Sequence, residues 1–190
     1  PVFLKKHRPR GFGFAGGFLL GWPPSLGNYA MRLIAGIFGL ALCCAPALGA
    51  QTLTSEGLGA AKIGMRNTEV EKAIGAKLKL PKPEPGGNCT AANIPGGKGT
   101  FMFFDRRLVR IDIRKPGVTT ADGAGVGMKE NELRKLYGDK ARFTPHRYSD
   151  GPGDHYVEVK LGKDRLLVFE TMKQRVESFR IGTDEAAQLV

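Results

Sequence analysis

The densest group of side chains that could do chemistry lies between residues 145 and 156. It contains His146, Asp150, Asp154 and His155. Imidazole nitrogens and carboxylate oxygens are ligands of zinc-like ions, and a carboxylate can also orient a metal-bound imidazole. Asp-Gly and Gly-Asp pairs are equally typical of turns, and the chain has neither His-x-x-x-His nor Cys-x-x-Cys spacing. The pattern favours a Gly/Pro loop that contacts a partner, without metal ion or cofactor, over a metal site.

A nucleophilic centre is the second candidate chemistry. Ser149 lies near His146, and Cys89 could act with His146 and Asp150. No Gly-x-Ser-x-Gly elbow surrounds Ser149, and a glutamate pair on neighbouring predicted strands is explained by cross-strand charge pairing. We therefore expect a protein that is not an enzyme. A small metal- or Cys-dependent hydrolase centred on the 146–155 loop is the alternative.

Aromatic and arginine side chains give a stronger signal, and it indicates binding. Phe103 and Phe104 are consecutive, so both cannot point into the core from a regular strand. Aromatic residues and Arg are also the types enriched at the energetic centres of protein interfaces. The predicted contact surface consists of Phe103, Arg107, Arg110, His146, Arg147, Tyr148 and Tyr156.

These side chains lie on segments with the alternating pattern of antiparallel strands. The first group of strands is predicted over 100–104 and 107–113, joined by a tight turn at Asp105-Arg106, with Val109, Ile111 and Ile113 on one side. The second is predicted over 155–161, 165–171 and 175–181 and forms a three-stranded meander.

An internal similarity at an offset of 63 residues organises the chain. Ile63-Gly64-Met65 recurs as Val126-Gly127-Met128, and a short amphipathic helix follows each copy. Thr68 and Asn131 are the predicted N-caps, and Gly75 and Gly138 the predicted stops. The sequence thus predicts an α+β fold of two similar halves, 51–117 and 118–190, each a short helix packed on an antiparallel β-meander.

The repeated Gly-Met pair, capped helix and meander resemble the β-lactamase inhibitor protein-like tandem-repeat family, which includes the small lipoprotein of the outer-membrane assembly machine. The second half is also similar to uncharacterised secreted bacterial proteins, through Pro145-His146-Arg147-Tyr148, His155-Tyr156 and Leu167-Val168-Phe169-Glu170-Thr171. The first resemblance implies a binding fold whose inhibitor members grip a protein with a concave sheet. The second implies a disulfide of Cys89 with a partner absent from this chain.

The first fifty residues contain no Asp or Glu. Met31-Arg32, an apolar stretch over 33–48 and the ending Ala-Pro-Ala-Leu-Gly-Ala predict a signal peptide over 31–50, cleaved near residue 50. The apolar stretch is shorter than the roughly 20 residues of a membrane span, so no span is expected in the mature form. Residues 1–30 are predicted to be a spurious, disordered upstream extension, and lipidation at Cys43 stays open.

Removal of the signal lowers the charge. The chain has a formal net charge of +11, but 24 basic and 18 acidic residues follow residue 50, which leaves +6. This charge suits an exported or envelope protein, or an anionic envelope polymer, as partner, and no motif indicates nucleic acid. We expect a periplasmic or secreted binding protein, inhibitor-like or envelope-associated, with a structural envelope component as a further alternative.

Overall fold

The structure, a computed structural model, describes residues 51–149, 151–152 and 154–189. The predicted signal peptide and upstream extension lie outside these residues. In chain order the strands are β1 (Gln51–Thr54), β2 (Gly57–Leu58), β3 (Ala61–Lys62), β4 (Cys89–Asn93), β5 (Gly99–Phe104), β6 (Arg107–Ile113), β7 (Val118–Thr120), β8 (Ala141–Pro145), β9 (His155–Lys160), β10 (Arg165–Met172) and β11 (Arg175–Thr183). The helices are α1 (Asn67–Ile74), α2 (Glu130–Tyr137), followed by a 3-10 turn (Gly138–Lys140), and α3 (Asp184–Gln188).

A seven-stranded antiparallel sheet with the order β4-β5-β6-β11-β10-β9-β8 dominates the fold. A small sheet, β3-β2-β1-β7, joins β1 to β7 in parallel. The predicted α+β class, the β5–β6 hairpin and the β9–β11 meander are confirmed. The sequence analysis missed the two edge strands of the large sheet, β4 and β8.

One face of the large sheet, here called the helix face, carries the main core. Val70 of α1 and Leu133 and Tyr137 of α2 belong to the same buried cluster as the apolar strand residues. The largest fully buried strand side chains in this cluster are Phe101, Phe103, Leu108, Ile111, Ile113, Leu167, Phe169, Phe179 and Ile181. Full burial of such a side chain stabilises the fold by about 1.5–3 kcal/mol, so this face holds the short helices in place.

The opposite face, here called the outer face, carries the alternate residues of the strands. A second, smaller buried cluster lies there and consists of Tyr156, Leu166, Val168 and Ala187. Ala187 belongs to α3, so the helix that follows β11 folds back over the outer face and covers part of it.

A β-bulge corrects the predicted facing of β6. The pairing passes from Met102↔Arg110 to Phe103↔Leu108, which leaves Val109 without an opposite residue. Leu108 is therefore fully buried and Val109 is half-buried. The prediction that Val109 shares the core side with Ile111 was wrong because strict alternation ends at a bulge.

The predicted N-caps were also wrong, because each helix begins earlier than expected. The backbone amide of Arg66 donates to the Glu69 carboxylate over 2.7 Å at the start of α1. The amide of Lys129 donates to Glu132 over 2.8 Å at the start of α2. The glutamate at the third helical position thus binds the amide of the N-cap residue, which is Arg66 or Lys129 and not the predicted Thr68 or Asn131. At the other end, Gly75 has φ 66° and stops α1 in the left-handed conformation, as predicted.

The first Gly-Met pair fastens the start of α1 to the β5–β6 hairpin. The amide of Gly64 donates to the carbonyl of Leu108 over 2.7 Å, and the amide of Leu108 donates to the carbonyl of Met65 over 2.8 Å. The guanidinium of Arg107 donates to the carbonyl of Gly64 over 2.9 Å. Gly64 has φ 93°, a conformation that favours glycine.

The second Gly-Met pair makes the same bonds to the β10–β11 hairpin. Gly127 donates to Val176 over 2.8 Å, Val176 donates to Met128 over 2.9 Å, and the Arg175 guanidinium donates to Gly127 over 3.0 Å. Gly127 has φ 92°. Each copy of the Gly-Met motif therefore makes the same set of hydrogen bonds between the start of a helix and a hairpin, here called a clasp. Among the described residues, no helix is long and apolar enough to cross a membrane.

Candidate functional site

An open cleft of about 350 Å³ lies on the outer face beside α3. Side-chain alternation directs residues of β8, β9, β10 and β11 toward it. Its lining consists of Arg142, Thr144, Pro145, Arg147, Tyr156, Glu158, Val168, Arg180, Ala187 and Gln188. Most of these side chains are polar or charged, so the cleft suits a polar ligand.

Two arginines attach α3 to the outer face. Arg180, only 5% exposed, donates through Nε to the carbonyl of Ala187 over 2.6 Å. Arg110 donates through Nη1 to the carbonyls of Ala186 at 3.0 Å and Leu189 at 2.7 Å. Carbonyls at the end of a helix lack intrahelical partners, and positive charge is favourable there. The floor and one wall of the cleft are therefore held in place by side chains of the sheet.

Carboxylates partner both arginines. Arg110 pairs with Asp112 at 3.0 Å, and Arg180 donates through Nη1 to Glu170, which also accepts from Ser178. Burial raises the pKa of Glu170, but the hydrogen bond and charge of Arg180, with the Ser178 bond, outweigh it and leave the pKa lowered. Each of the two guanidinium groups is therefore paired with a carboxylate.

Arg147 differs from the other arginines of the cleft. Arg142 lies 3.7 Å from Glu158 across the β8–β9 pair. Arg147 is exposed, and within the described part of the chain it has no ion pair. One positive charge at the mouth of the cleft thus remains unmatched.

Tyr156 contributes a buried hydroxyl without a partner. The side chain is 5% exposed, and its hydroxyl oxygen has no hydrogen-bond partner among the described residues. Burial raises the pKa of Tyr156, as does the charge of Glu170, so the hydroxyl keeps its proton and can donate. A buried polar group left unpaired costs about 1–3 kcal/mol, and such a group in a native fold needs a reason.

Aromatic rings connect Tyr156 to the surface. The His146 ring stacks on the Tyr156 ring at a centroid distance of 4.4 Å. It also contacts the Tyr148 ring edge-on, at a centroid distance of 6.3 Å. Tyr148 is 75% exposed. Ring contacts thus connect the buried Tyr156 of β9, which lines the cleft, through His146 to the exposed Tyr148 in the loop after β8.

His155 lies on the helix face, away from His146. Its Nδ1 is 2.8 Å from the Glu130 carboxylate, which also accepts from Thr171 at 3.0 Å and Arg134 at 2.8 Å. Burial raises the pKa of Glu130, but the hydrogen bonds from His155, Arg134 and Thr171 outweigh it and leave the pKa lowered. Because the two histidines lie on opposite faces of the sheet, they cannot bind one metal ion together.

Asp154 fixes the loop that precedes β9. Its carboxylate accepts from the Ser149 hydroxyl and from the amide of Lys173 at 2.6 Å. These two hydrogen bonds lower the pKa of Asp154. Asp150, the fourth member of the sequence cluster, lies outside the described residues. Within the described ranges no group of three or more His, Cys, Asp and Glu side chains could hold a metal ion.

The proposed Cys89–His146 centre is wrong on distance. Cys89 is exposed on the edge strand β4, and His146 follows β8 at the opposite edge, six strand positions away. At about 4.8 Å per position, the two edges lie roughly 29 Å apart. In the part of the chain that the structure describes, Cys89 forms no disulfide.

The predicted contact residues divide into two groups. Phe103 is fully buried, so it cannot form part of a contact surface, whereas its neighbour Phe104 is 49% exposed. Arg107 belongs to the first clasp, and Arg110 binds α3. The remaining four lie together, because Arg147 and Tyr156 line the cleft and the His146 ring contacts both Tyr156 and Tyr148.

Sequence reasoning missed Arg142 and Arg180 as cleft residues. The alternation of Arg142, Phe143 and Thr144 was a readable signal for an edge strand. Nothing local to Arg180 indicated that α3 folds back beside it.

Two solved structures show limited similarity to this chain. The uncharacterized protein yfeY from Escherichia coli has a TM-score of 0.45 and 15% sequence identity, covering 70% of this chain and 99% of that chain. A DUF4309 family protein, YjgB from Bacillus subtilis, has a TM-score of 0.40 and 15% identity, covering 67% and 84%. No family model and no curated protein matches the chain. We therefore infer the function from the geometry of the outer face.

Proposed function

We propose that this chain is an exported, non-enzymatic binding protein whose ligand site is the cleft on the outer face. It acts in the periplasm or outside the cell after removal of the 31–50 signal, and it uses no cofactor. One observation carries the proposal: in an open polar cleft, Arg147 has no ion pair and the Tyr156 hydroxyl has no hydrogen-bond partner among the described residues. Such groups are the ones that a bound partner would satisfy.

The hydrogen bonds of the 146–155 loop favour binding over hydrolysis. The Ser149 hydroxyl is bonded to Asp154, and the Nδ1 of His146 accepts from the amide of Tyr148 at 3.2 Å. His155 is bonded to Glu130 on the other face. A nucleophile beside an oriented base, the minimum for the hydrolase alternative, is not among these contacts.

We also propose that the fold arose by duplication of a helix-and-meander half. The bulge between Met102 and Phe103 corresponds, at an offset of 68 residues, to the bulge between Glu170 and Thr171. Strands β6 and β11 meet in the middle of the sheet, as two equivalent halves related by an approximate two-fold axis require. The repeated clasps support the same interpretation.

The second half has gained elements that the first half lacks. Strand β8 extends its edge of the sheet, the loop after β8 contributes Arg147, and α3 follows its last strand. These three additions build the walls of the cleft. The binding site is thus a specialisation of one copy.

The partner is an exported or envelope protein, with an anionic envelope polymer as the alternative. Photo-crosslinking tests the surface: p-benzoylphenylalanine replaces Tyr148 at the cleft or, as the control, Leu136, which is 42% exposed on α2. We expect one specific adduct in the native host with the label at 148 and none at 136. Equal yields at the two positions, or no adduct at 148, would contradict the proposal.

A structural envelope component remains the competing function. Fractionation of the native host distinguishes the two, because a structural component stays with the envelope fraction irrespective of the cleft. The binding proposal predicts that any retention of the wild type in the envelope fraction is lost when Arg147 at the cleft is replaced by alanine.

A further inference from the structure

The charges of the cleft leave room for one negative charge. Arg142 is matched by Glu158, and Arg180 by Glu170, which leaves Arg147 without a counter-charge in the described ranges. A ligand with one negative charge would complete this balance. A doubly charged ligand would also be repelled by Glu158, which lines the same cleft.

The hydroxyl of Tyr156 supplies a hydrogen-bond donor next to that charge. It belongs to a side chain that is 95% buried and that lines the cleft, and the hydroxyl has no hydrogen-bond partner among the described residues. Arg147 and Tyr156 line the same cleft. Together they offer a planar guanidinium and a single O–H to one acceptor group.

We infer that the cleft takes the carboxylate of an aspartate or glutamate side chain carried by an extended segment of a partner protein. This inference depends on the proposed function and names the chemistry of its ligand. A guanidinium binds a carboxylate through two parallel hydrogen bonds, and a neutral hydroxyl adds a third donor to the same oxygen pair.

The surroundings of the cleft favour a peptide as the carrier of that carboxylate. The neighbouring Tyr148 is 75% exposed and stands beside Arg147, and tyrosine and arginine are the residue types that anchor protein interfaces. The cleft volume of about 350 Å³ accommodates a side chain with adjoining backbone. The apolar parts of Val168 and Ala187 would contact the methylene groups of such a side chain.

Fluorescence anisotropy with three pooled peptide libraries of equal length tests the inference on the purified chain. One library contains Asp and Glu, the second replaces them with Asn and Gln, and the third carries phosphoserine in their place. We expect binding of the acidic library and at least tenfold weaker binding of the amidated one, since a hydrogen bond to a charged group contributes roughly a factor of ten or more. An oligomer of a sugar acid serves as a competitor that carries carboxylates without a peptide.

Three variants locate the binding. Arg147→Ala and Tyr156→Phe should each weaken binding of the acidic library about tenfold. Arg114→Ala, which removes an equal charge from an exposed position outside the cleft, should leave it unchanged. Tyr156→Phe should unfold at the same temperature as the wild type or at a higher one, because it removes a buried hydroxyl that has no partner. A merely structural role of Tyr156 would lower the unfolding temperature and leave binding intact.

Several results would overturn the inference. They are equal binding of the acidic and amidated libraries, tighter binding of the phosphoserine library, stronger competition by the sugar acid than by the acidic peptides, or no binding of any library. If the crosslinked adduct at position 148 still forms in such a case, the proposed function stands and only the ligand chemistry is wrong. If the adduct is also absent, the proposed function fails as well.

Discussion

Replacement of Phe103 by alanine tests which of the two consecutive phenylalanines holds the sheet to its helices. Phe103 is 0% exposed, and its strand partners are Thr90 on β4 and Leu108 on β6. Its ring therefore belongs to the buried core on the helix face of these strands. Truncation removes the buried ring and leaves a cavity, which costs about 3–5 kcal/mol in cores of this kind. With a urea m-value of about 2 kcal/mol/M, the unfolding midpoint should fall by roughly 2 M.

Phe104→Ala is the matched control, because it removes the same ring one position away. Phe104 is 49% exposed, so the free energy of unfolding should change by less than about 1 kcal/mol. Equilibrium unfolding in urea, followed by circular dichroism, measures both variants under one condition. Equal losses for the two variants, or a larger loss for Phe104→Ala, would refute the assignment of Phe103 to the helix face.

Further predictions concern the clasps, the buried carboxylate and the thiol. Gly64→Ala and Gly127→Ala should each destabilise the protein by about 1–3 kcal/mol, because φ near 92° is strained for alanine although its methyl group meets no neighbour. Unequal losses of stability in thermal unfolding would contradict the equivalence of the two clasps. Burial raises the pKa of Glu130, yet hydrogen bonds from His155, Arg134 and Thr171 leave the pKa lowered, so the ionised carboxylate stabilises the fold above the unfolded-state pKa of about 4.3 and this stabilisation disappears as pH falls through the folded-state pKa. The difference in the free energy of unfolding between wild type and Glu130→Gln, measured in urea, should therefore decrease from pH 7 to pH 3. An increase in this difference would contradict the lowered pKa. Cys89 should react with a thiol reagent in the native protein as fast as in urea, and slow native labelling would contradict its exposure.

Features coded over short stretches of sequence could be predicted. The strands β6 and β9 to β11 follow from alternating residues between turns, and residues 105–106 do adopt the positive φ angles of a tight hairpin turn. Gly75 could be identified as a helix stop from its position alone. In each case the deciding interaction lies within a few residues of the signal.

Features that depend on register or on distant pairing could not be predicted. Whether Leu108 or Val109 faces the core depends on the bulge at Val109, which becomes apparent only when β5 is paired with β6. Strand β4 has the sequence Cys-Thr-Ala-Ala-Asn, which carries almost no hydrophobic alternation.

The cleft illustrates the same limit. His146, Arg147, Tyr148 and Tyr156 are close in sequence and were found together as candidates. Its other walls come from β8 and from α3, and the position of α3 depends on arginine contacts that span up to 79 residues. Sequence proximity therefore indicated one side of the site, and tertiary packing supplied the rest.

Backbone NMR of the isotopically labelled chain, titrated with the acidic peptides, tests the central claim most directly, since it reports where a ligand binds on every described element. The account predicts that amide shifts change at residues 142–148, 156–158 and 186–188 around the cleft, while α1 and α2 on the helix face stay unchanged. Shift changes confined to the helix face, or spread evenly over both faces, would contradict the assignment of the outer face as the binding site.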